Sequence, residues 1–414
     1  MAEKESFENK KTMIKKFNIK ICLKVFVEAF KDRDIKILIT TRVIRNFYFG
    51  YLSFILPLYL KYMGFSYVEV GLYALTATIS SSILVIISGF FGDLYGRKKM
   101  LIIMSSLSIY LLIILIITKN PVFLFLSSIF GISFSGIGGG AGGGPIAPLI
   151  NALVAERVSK ERTLVYSTLT SLGTFSSVAG GIFSTIISSS VASFYHILFI
   201  IGLILAVIST LITFFMQDLH VNIEKKILPV KSGKNIMLIS MAGMFGSLGL
   251  GMVLPLISLW FQYMGLKAYQ ISIIFTVSYI MAGIGVNFAS YFENYLGTIK
   301  SIVTFRFLGS VLLVFIPFLP LGAAVIVYIL RTMFYQMALP IRQNFSMNAF
   351  SPDERSRGSS ITGIFRRLPY GIASSIGGFL FSVGMFALAF LSAGLVSIID
   401  PVLYYVFFRN MEKN

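Results

Sequence analysis

Apolar runs of about twenty residues follow one another through almost the whole chain, separated by short polar breaks. A bilayer's hydrocarbon, roughly 30 Å thick, is crossed by about 20 helical residues, so each run can span a membrane. Twelve such segments lie at 36–60, 67–91, 99–118, 121–150, 162–187, 193–216, 235–260, 268–291, 300–318, 321–349, 359–382 and 385–408. The runs are continuous rather than alternating, which excludes a β-barrel pattern, and a helix satisfies its own backbone groups inside lipid. The pattern predicts an all-α polytopic membrane protein with twelve transmembrane helices.

The tripeptide Tyr62-Met63-Gly64 returns as Tyr263-Met264-Gly265, and each copy follows a proline, Pro57 or Pro255, in an apolar run. A repeat at this spacing divides the chain into two related halves. The expected organisation is a basic leader at 1–35, an N-terminal unit at 36–216, a link at 217–234, a C-terminal unit at 235–408 and a tail at 409–414. Within the leader, Ile19, Cys22, Phe26, Ala29 and Phe30 fall on one helical side with Lys20, Lys24, Glu28 and Lys31 interspersed. An interfacial helix and a loosely ordered basic segment both fit that pattern. The leader is too polar for a cleavable signal peptide.

Composition agrees, since 56% hydrophobic and 13% charged residues cannot cover a chain of this length with a water-soluble surface. The net charge of +18 raises a nucleic-acid reading, but its distribution answers it. Basic residues gather in the leader, at Arg97, Lys98 and Lys99, at Arg157, Lys160 and Arg162, and in the link, whereas the opposite loops hold only Lys61, Lys119 and Lys267. This asymmetry predicts cytoplasmic termini, a multi-pass protein of the cell inner or plasma membrane, and anionic membrane lipid on the cytoplasmic face. No nucleic-acid partner is expected. Cys22 is the single cysteine, and neither His196 nor His220 sits in a ligand spacing, so no metal site and no cofactor are expected.

The most informative local motif runs Gly89-Phe90-Phe91-Gly92-Asp93-Leu94-Tyr95-Gly96-Arg97-Lys98, where the second span meets the third. An acid at a helix end, glycines at a tight turn and two facing cations suit a charged latch between packed helices. The segment resembles the signature loop of the major facilitator superfamily of secondary transporters. Gly89, Asp93, Gly96, Arg97 and Lys98 match it, while Leu94 stands where a base is usual. In the second half Asn294 and Gly297 resemble a decayed copy, with Glu293 as a substitute acid. Glu161-Arg162 and Asp353-Glu354-Arg355 resemble the family's acidic-basic turns, and a plain set of cytoplasmic charges would look the same.

That resemblance implies two six-helix bundles around a central cavity, alternating access, and a pathway lined by the first, fourth, seventh and tenth spans. In the first span Arg42, Asn46, Phe49 and Ser53 recur on one side, with Arg45 beside them. Arg42 fits a substrate contact or a snorkelling cation, and Asn46 a cavity group or an interhelical hydrogen bond. The tenth span carries Arg331, Tyr335, Gln336, Arg342, Asn344 and Asn348. Arg331, deep in its span with Tyr335 one turn away, suits a contact to a carboxylate, a phosphate or a hydroxylated solute, or a structural cation paired elsewhere in the bundle. Arg342, Arg366 and Arg367 read as gate or snorkelling groups. The glycines from Gly136 to Gly144, followed by Pro145 and Pro148, fit close packing or a hinge and lack a phosphate-loop ending.

In the fifth span Gly173 and Gly180-Gly181 stand where the family's antiporters carry a glycine-proline motif, but Ser176 and Ser177 occupy its centre. The eleventh span ends in parallel on Gly377-Gly378. Asp400 is the deepest acid, in a span that the resemblance places peripherally, and suits a pair with an arginine or the cap of a kinked segment. Proton coupling, sodium coupling and uniport all stay open, and a monomer is compatible with this architecture. The expected function is secondary active transport of a small organic solute, a polar or anionic metabolite, by alternating access. Efflux of amphipathic drug-like compounds is the alternative, and a channel or non-transporting receptor is the alternative from another class. No catalytic constellation stands out, so an enzyme is not expected.

Overall fold

The structure is a computed structural model. It describes residues 32–131, 144–146, 149–150, 153–154, 162–190, 193–217, 232–351 and 355–412. The proposed leader helix, the glycines from Gly136 to Gly143, Pro148, Glu161, His220 and the stretch Pro352 to Glu354 lie outside these residues. Gly144 and Pro145 sit at a turn.

Twelve helices are labelled in chain order: α1 Arg33–Tyr62, α2 Tyr67–Tyr95, α3 Arg97–Ile117, α4 Pro121–Leu126, α5 Arg162–Ser190, α6 Phe194–Phe214, α7 Gly233–Val253, α8 Ala268–Leu296, α9 Thr298–Phe315, α10 Leu321–Ala349, α11 Arg355–Ser382 and α12 Phe386–Phe408. After the 3-10 turn Leu254–Leu256, which contains Pro255, α7 resumes as Ile257–Tyr263. The chain is an all-α polytopic membrane protein in which ten described helices are long and apolar enough to cross a bilayer. Two segments fall short of that measure. Helix α11 is long enough, but Arg366, Arg367 and its serines lower its hydropathy. Of the fourth run only α4 and the 3-10 turn Ser127–Phe130 precede residues outside the described set.

The sequence repeat is a repeat of backbone geometry. Helix α1 ends with Phe65 N–H donating to Leu60 O and Gly64 N–H to Lys61 O; the far end of α7 closes with Leu266 N–H on Phe261 O and Gly265 N–H on Gln262 O. Gly64 and Gly265 take φ of 96° and 91°, in the region where a side chain is costly, so both copies need glycine. The next helix starts alike in each half. Ser66 N–H donates to the Glu69 carboxylate at 2.7 Å, and Lys267 N–H to the Gln270 amide oxygen at 2.8 Å.

Helices pack in matching pairs within each half, α1 on α5 and α6, and α7 on α11 and α12. The halves meet through α2 against α11 and α5 against α8. Call the end where α1 begins and α12 finishes the near end. At the far end and mid-depth one apolar core crosses both halves, from Tyr48, Phe54 and Tyr73 to Phe261, Phe275 and Phe381. At the near end the core of the described residues is split. Ile35, Leu38, Leu101 and Leu153 form one cluster in the first half, and Ile236, Ile302, Ile341 and Phe408 form another in the second.

Candidate functional site

The seam between the halves is built from small polar residues. Ser184 Oγ lies 3.2 Å from Ser272 Oγ, Ser374 Oγ donates to Gly71 O at 3.0 Å, and Tyr279 OH donates to Gly50 O at 3.1 Å and stands 3.0 Å from Ser53 Oγ. Phe54 stacks on Phe275 with centroids 4.6 Å apart. All these contacts lie in the far half or at mid-depth. Lipid is as apolar as a leucine face, so close backbone approach and buried hydrogen bonds drive such packing.

The glycine pairs of α5 and α11 explain how the approach is achieved. A Cβ on Gly180 would collide with the Phe47 carbonyl of α1, and one on Gly377 with the Met252 carbonyl of α7. Their neighbours face the other half: Gly181 meets Thr276 of α8, and Gly378 meets Tyr67 and Gly71 of α2. Each pair therefore packs inward with its first member and across the seam with its second. The paired endings at Gly180-Gly181 and Gly377-Gly378 are one architectural device used twice.

On α1, Asn46 is only 8% exposed and faces Gly173 of α5, where a Cβ would collide with its amide nitrogen. Ser176 Oγ donates to Val43 O at 2.6 Å and Ser177 Oγ to Asn46 O at 3.2 Å. The serines at the centre of the fifth-span motif thus fasten α5 to α1. Arg45 is buried, and its Nη1 donates to Ser105 Oγ at 3.0 Å. Its Nε and Nη2, the Arg42 Nε and the Asn46 Oδ1 find no partner among the described residues. Arg42 itself is half-buried.

The densest polar cluster lies in the second half, near mid-depth. Arg306 of α9 pairs with Asp400 of α12, and its Nη2 donates to Tyr335 OH at 3.1 Å. The Tyr335 ring carries two guanidiniums, with Arg306 Cζ 4.7 Å and Arg331 Cζ 5.0 Å from its centroid. Arg342 Nη1 is 4.0 Å from Asp400 Oδ2, and its Nε donates to Tyr404 OH at 2.8 Å. Arg306, Arg331 and Arg342 are 2, 3 and 3% exposed, and Asp400 is fully buried. Gly246 of α7 makes room for this group, since a Cβ there would stand 2.5 Å from Asp400 Oδ2 and 2.7 Å from Arg306 Nη2.

Several expectations are corrected here. Arg342 does not snorkel; it is bonded inside the bundle. Arg366 is half-buried, with its Nε on Thr362 O at 3.2 Å. Asp400, on the last span, faces the interior of the second half and pairs with an arginine. Gln336 is half-buried, and the Asn344 amide oxygen, on an exposed side chain, is 3.5 Å from Asn348 Nδ2. Arg306 went unremarked in the sequence. Its signal was a lone cation inside the ninth apolar run, which needs an acid at similar depth, and Asp400 was the one deep enough.

The residues expected to form a latch fall partly within the described set. Gly89 and Asp93 lie in the last turns of α2, Gly96 has φ of 100° between α2 and α3, and Arg97 and Lys98 are half-buried. Its second-half counterpart Gly297 has φ of 87°, with Asn294 exposed. Glu293 spends its carboxylate on Thr298, whose Oγ1 donates to it at 2.9 Å across the turn. Arg162 and Arg355 begin α5 and α11, and Asp353 and Glu354, like Glu161, are outside the described residues.

Known proteins share this arrangement. The family model described as Major Facilitator Superfamily matches residues 38–374. No curated protein matches the sequence. Among solved structures, a mutant of the nucleoside transporter NupG superposes with a TM-score of 0.70 at 15% identity, covering 91% of this chain and 100% of its own. An auto inhibited POT family peptide transporter gives 0.74 at 11% identity, with 91% and 97% covered. A bacterial homologue of the iron transporter ferroportin in an inward-facing state gives 0.68 at 15% identity, with 90% and 98% covered. At such identities the likeness is one of fold.

Proposed function

The chain belongs to the Major Facilitator Superfamily, and from that premise we propose that it moves a small organic solute, polar or anionic, across the cell membrane by alternating access. It is a carrier and not an enzyme. In this reading twelve spans form two six-helix bundles, the fourth run and α11 completing the set, and the positive-inside asymmetry puts the near end in the cytoplasm. The single observation that carries the proposal is the core that is continuous across both halves at the far end and divided at the near end. A two-bundle carrier closed to the outside and parted toward the cytoplasm has that division, and a passive pore does not need it.

Arg42, Asn46, Arg331, Tyr335, Gln336 and Asn344 are the proposed pathway residues, with Arg306 and Arg342 added by their burial in the same cluster. Gly89, Asp93, Gly96, Arg97 and Lys98, with their partners at Glu161, Arg162, Asn294, Gly297, Asp353, Glu354 and Arg355, form the proposed latch. The excess of buried guanidinium groups favours an anionic solute over a lipophilic cation. The test is counterflow in proteoliposomes with labelled organic anions, sugars, nucleosides and lipophilic cations, with and without imposed proton and sodium gradients. Saturable counterflow of an organic anion supports the reading. Counterflow of lipophilic cations alone would move the assignment to drug efflux, and unsaturable conductance would remove the carrier altogether.

A further inference from the structure

The second-half cluster has a specific deficit. Arg306 Nε and Nη1, Arg331 Nε and Nη2, and Arg342 Nη2 are buried without a hydrogen-bond partner among the described residues, and so are both carboxylate oxygens of Asp400. Guanidinium nitrogens only donate and stay protonated, so these five vacant donors outnumber the two carboxylate oxygens and call for a further acceptor. Three buried guanidiniums share this cluster with Asp400, which meets Arg306 and Arg342, so among the described residues two positive charges stay uncompensated there. Neutral water could fill the acceptor positions but not the charge. The half-buried Arg366, on the adjoining helix α11, adds to the imbalance rather than relieving it.

We propose that the Arg306, Arg331 and Arg342 cluster is a binding site for a dianionic solute, and that Asp400 is the resident counter-ion that sets this charge. It rests on the carrier reading and narrows its substrate class to dicarboxylates, phosphate monoesters and other divalent oxyanions. Asp400 engages the cluster through Oδ2, which meets both Arg306 and Arg342, so it neutralises one charge and leaves Arg331 without a carboxylate partner among the described residues. Tyr335 holds Arg306 and Arg331 on its ring, spacing two forks that two carboxylates or one tetrahedral oxyanion can engage.

The experiment uses the full-length protein in detergent at constant ionic strength, reading the unfolding midpoint against acetate, succinate, sulfate, tricarballylate and neutral erythritol. Ligand binding to the folded state raises that midpoint. Succinate and sulfate are expected to give saturable shifts at concentrations where acetate and erythritol give none. Asp400→Asn should move the preference by one charge, favouring tricarballylate over succinate by at least tenfold relative to wild type. Arg331→Gln should weaken succinate at least tenfold, and it keeps the proposal testable where Asp400→Asn does not fold. A response to acetate equal to that of succinate overturns the proposal, as does an unchanged charge preference in folded Asp400→Asn. Stabilisation by phosphatidylglycerol with none by any soluble dianion overturns it too, by assigning the cluster to a lipid headgroup. Saturable counterflow of a neutral solute beside a flat dianion series would remove this site and leave the carrier reading standing.

Discussion

Locking the far seam gives the sharpest test of the two-state architecture. Ser184 of α5 and Ser272 of α8 bring their Oγ atoms to 3.2 Å across the halves. Sulfur atoms at both positions need an approach of only about 1 Å to reach the 2.03–2.05 Å of a disulfide. In a Cys22→Ser background, Ser184→Cys with Ser272→Cys should cross-link under mild oxidation. The bond closes a segment of 88 residues, and loop-closure entropy for that length is about 4.6 kcal/mol. Unfolding should therefore move to clearly higher temperature, while the near end stays accessible to ligand. Proteoliposome counterflow should fall by at least tenfold in the oxidised protein and return on reduction. Ready cross-linking with wild-type counterflow would refute the argument, because the far end would not need to open. Failure to cross-link would refute the placement of α5 against α8.

Other outcomes follow from the buried charges and the seam. Asp400→Asn strands two arginines and should cost roughly 3–5 kcal/mol in thermal unfolding. Arg306→Gln should cost less, because Arg342, 4.0 Å from Asp400 Oδ2, retains an attraction of about 4 kcal/mol at an effective dielectric near 20; equal losses would contradict that geometry. Gly180→Val and Gly377→Val should each destabilise by about 1–3 kcal/mol, since both place a side chain against a carbonyl of the first helix in their half; midpoints in purified protein should fall by similar amounts. Tyr279→Phe removes the bonds to Gly50 and Ser53, costing about 0.6–1.7 kcal/mol. Cysteine labelling at position 53 from the far side should rise in that variant. Asp93→Asn should slow exchange between conformations more than it weakens ligand binding, measured by counterflow rate against midpoint shift.

Hydropathy made the helices legible because a membrane span must be long and apolar, and the Tyr-Met-Gly repeat made the two halves legible because the same turn needs the same glycine. Boundaries moved by a few residues where polar ends continue a helix, as at Arg33 and Tyr95. The site was half legible. Arg331 and Tyr335 share one helix, so their spacing of four residues announces them. Arg306, Asp400 and Tyr404 come from two other helices, and no spacing within one run can report their meeting. Arg342 was misjudged for a related reason: depth along a helix says how far a cation is from the interface, but not whether a tyrosine and a carboxylate from α12 are waiting beside it. The glycine pairs were legible as a parallel between the fifth and eleventh spans, and only the fold assigned one member of each to its own half and the other to the opposite one.

The divided near core means that each half keeps its near-end packing whole whichever way the molecule faces. At the far seam the hydrogen bonds of Ser53, Ser184, Tyr279 and Ser374, at about 0.6 kcal/mol each, contribute roughly 2 kcal/mol beside the shared apolar core. Driving such an equilibrium from one extreme to the other takes about 5.5 kcal/mol. Single serine or tyrosine changes along the seam should therefore act as rheostats, each resetting the resting ratio of the two states several-fold while leaving the affinity of either state for its cargo untouched.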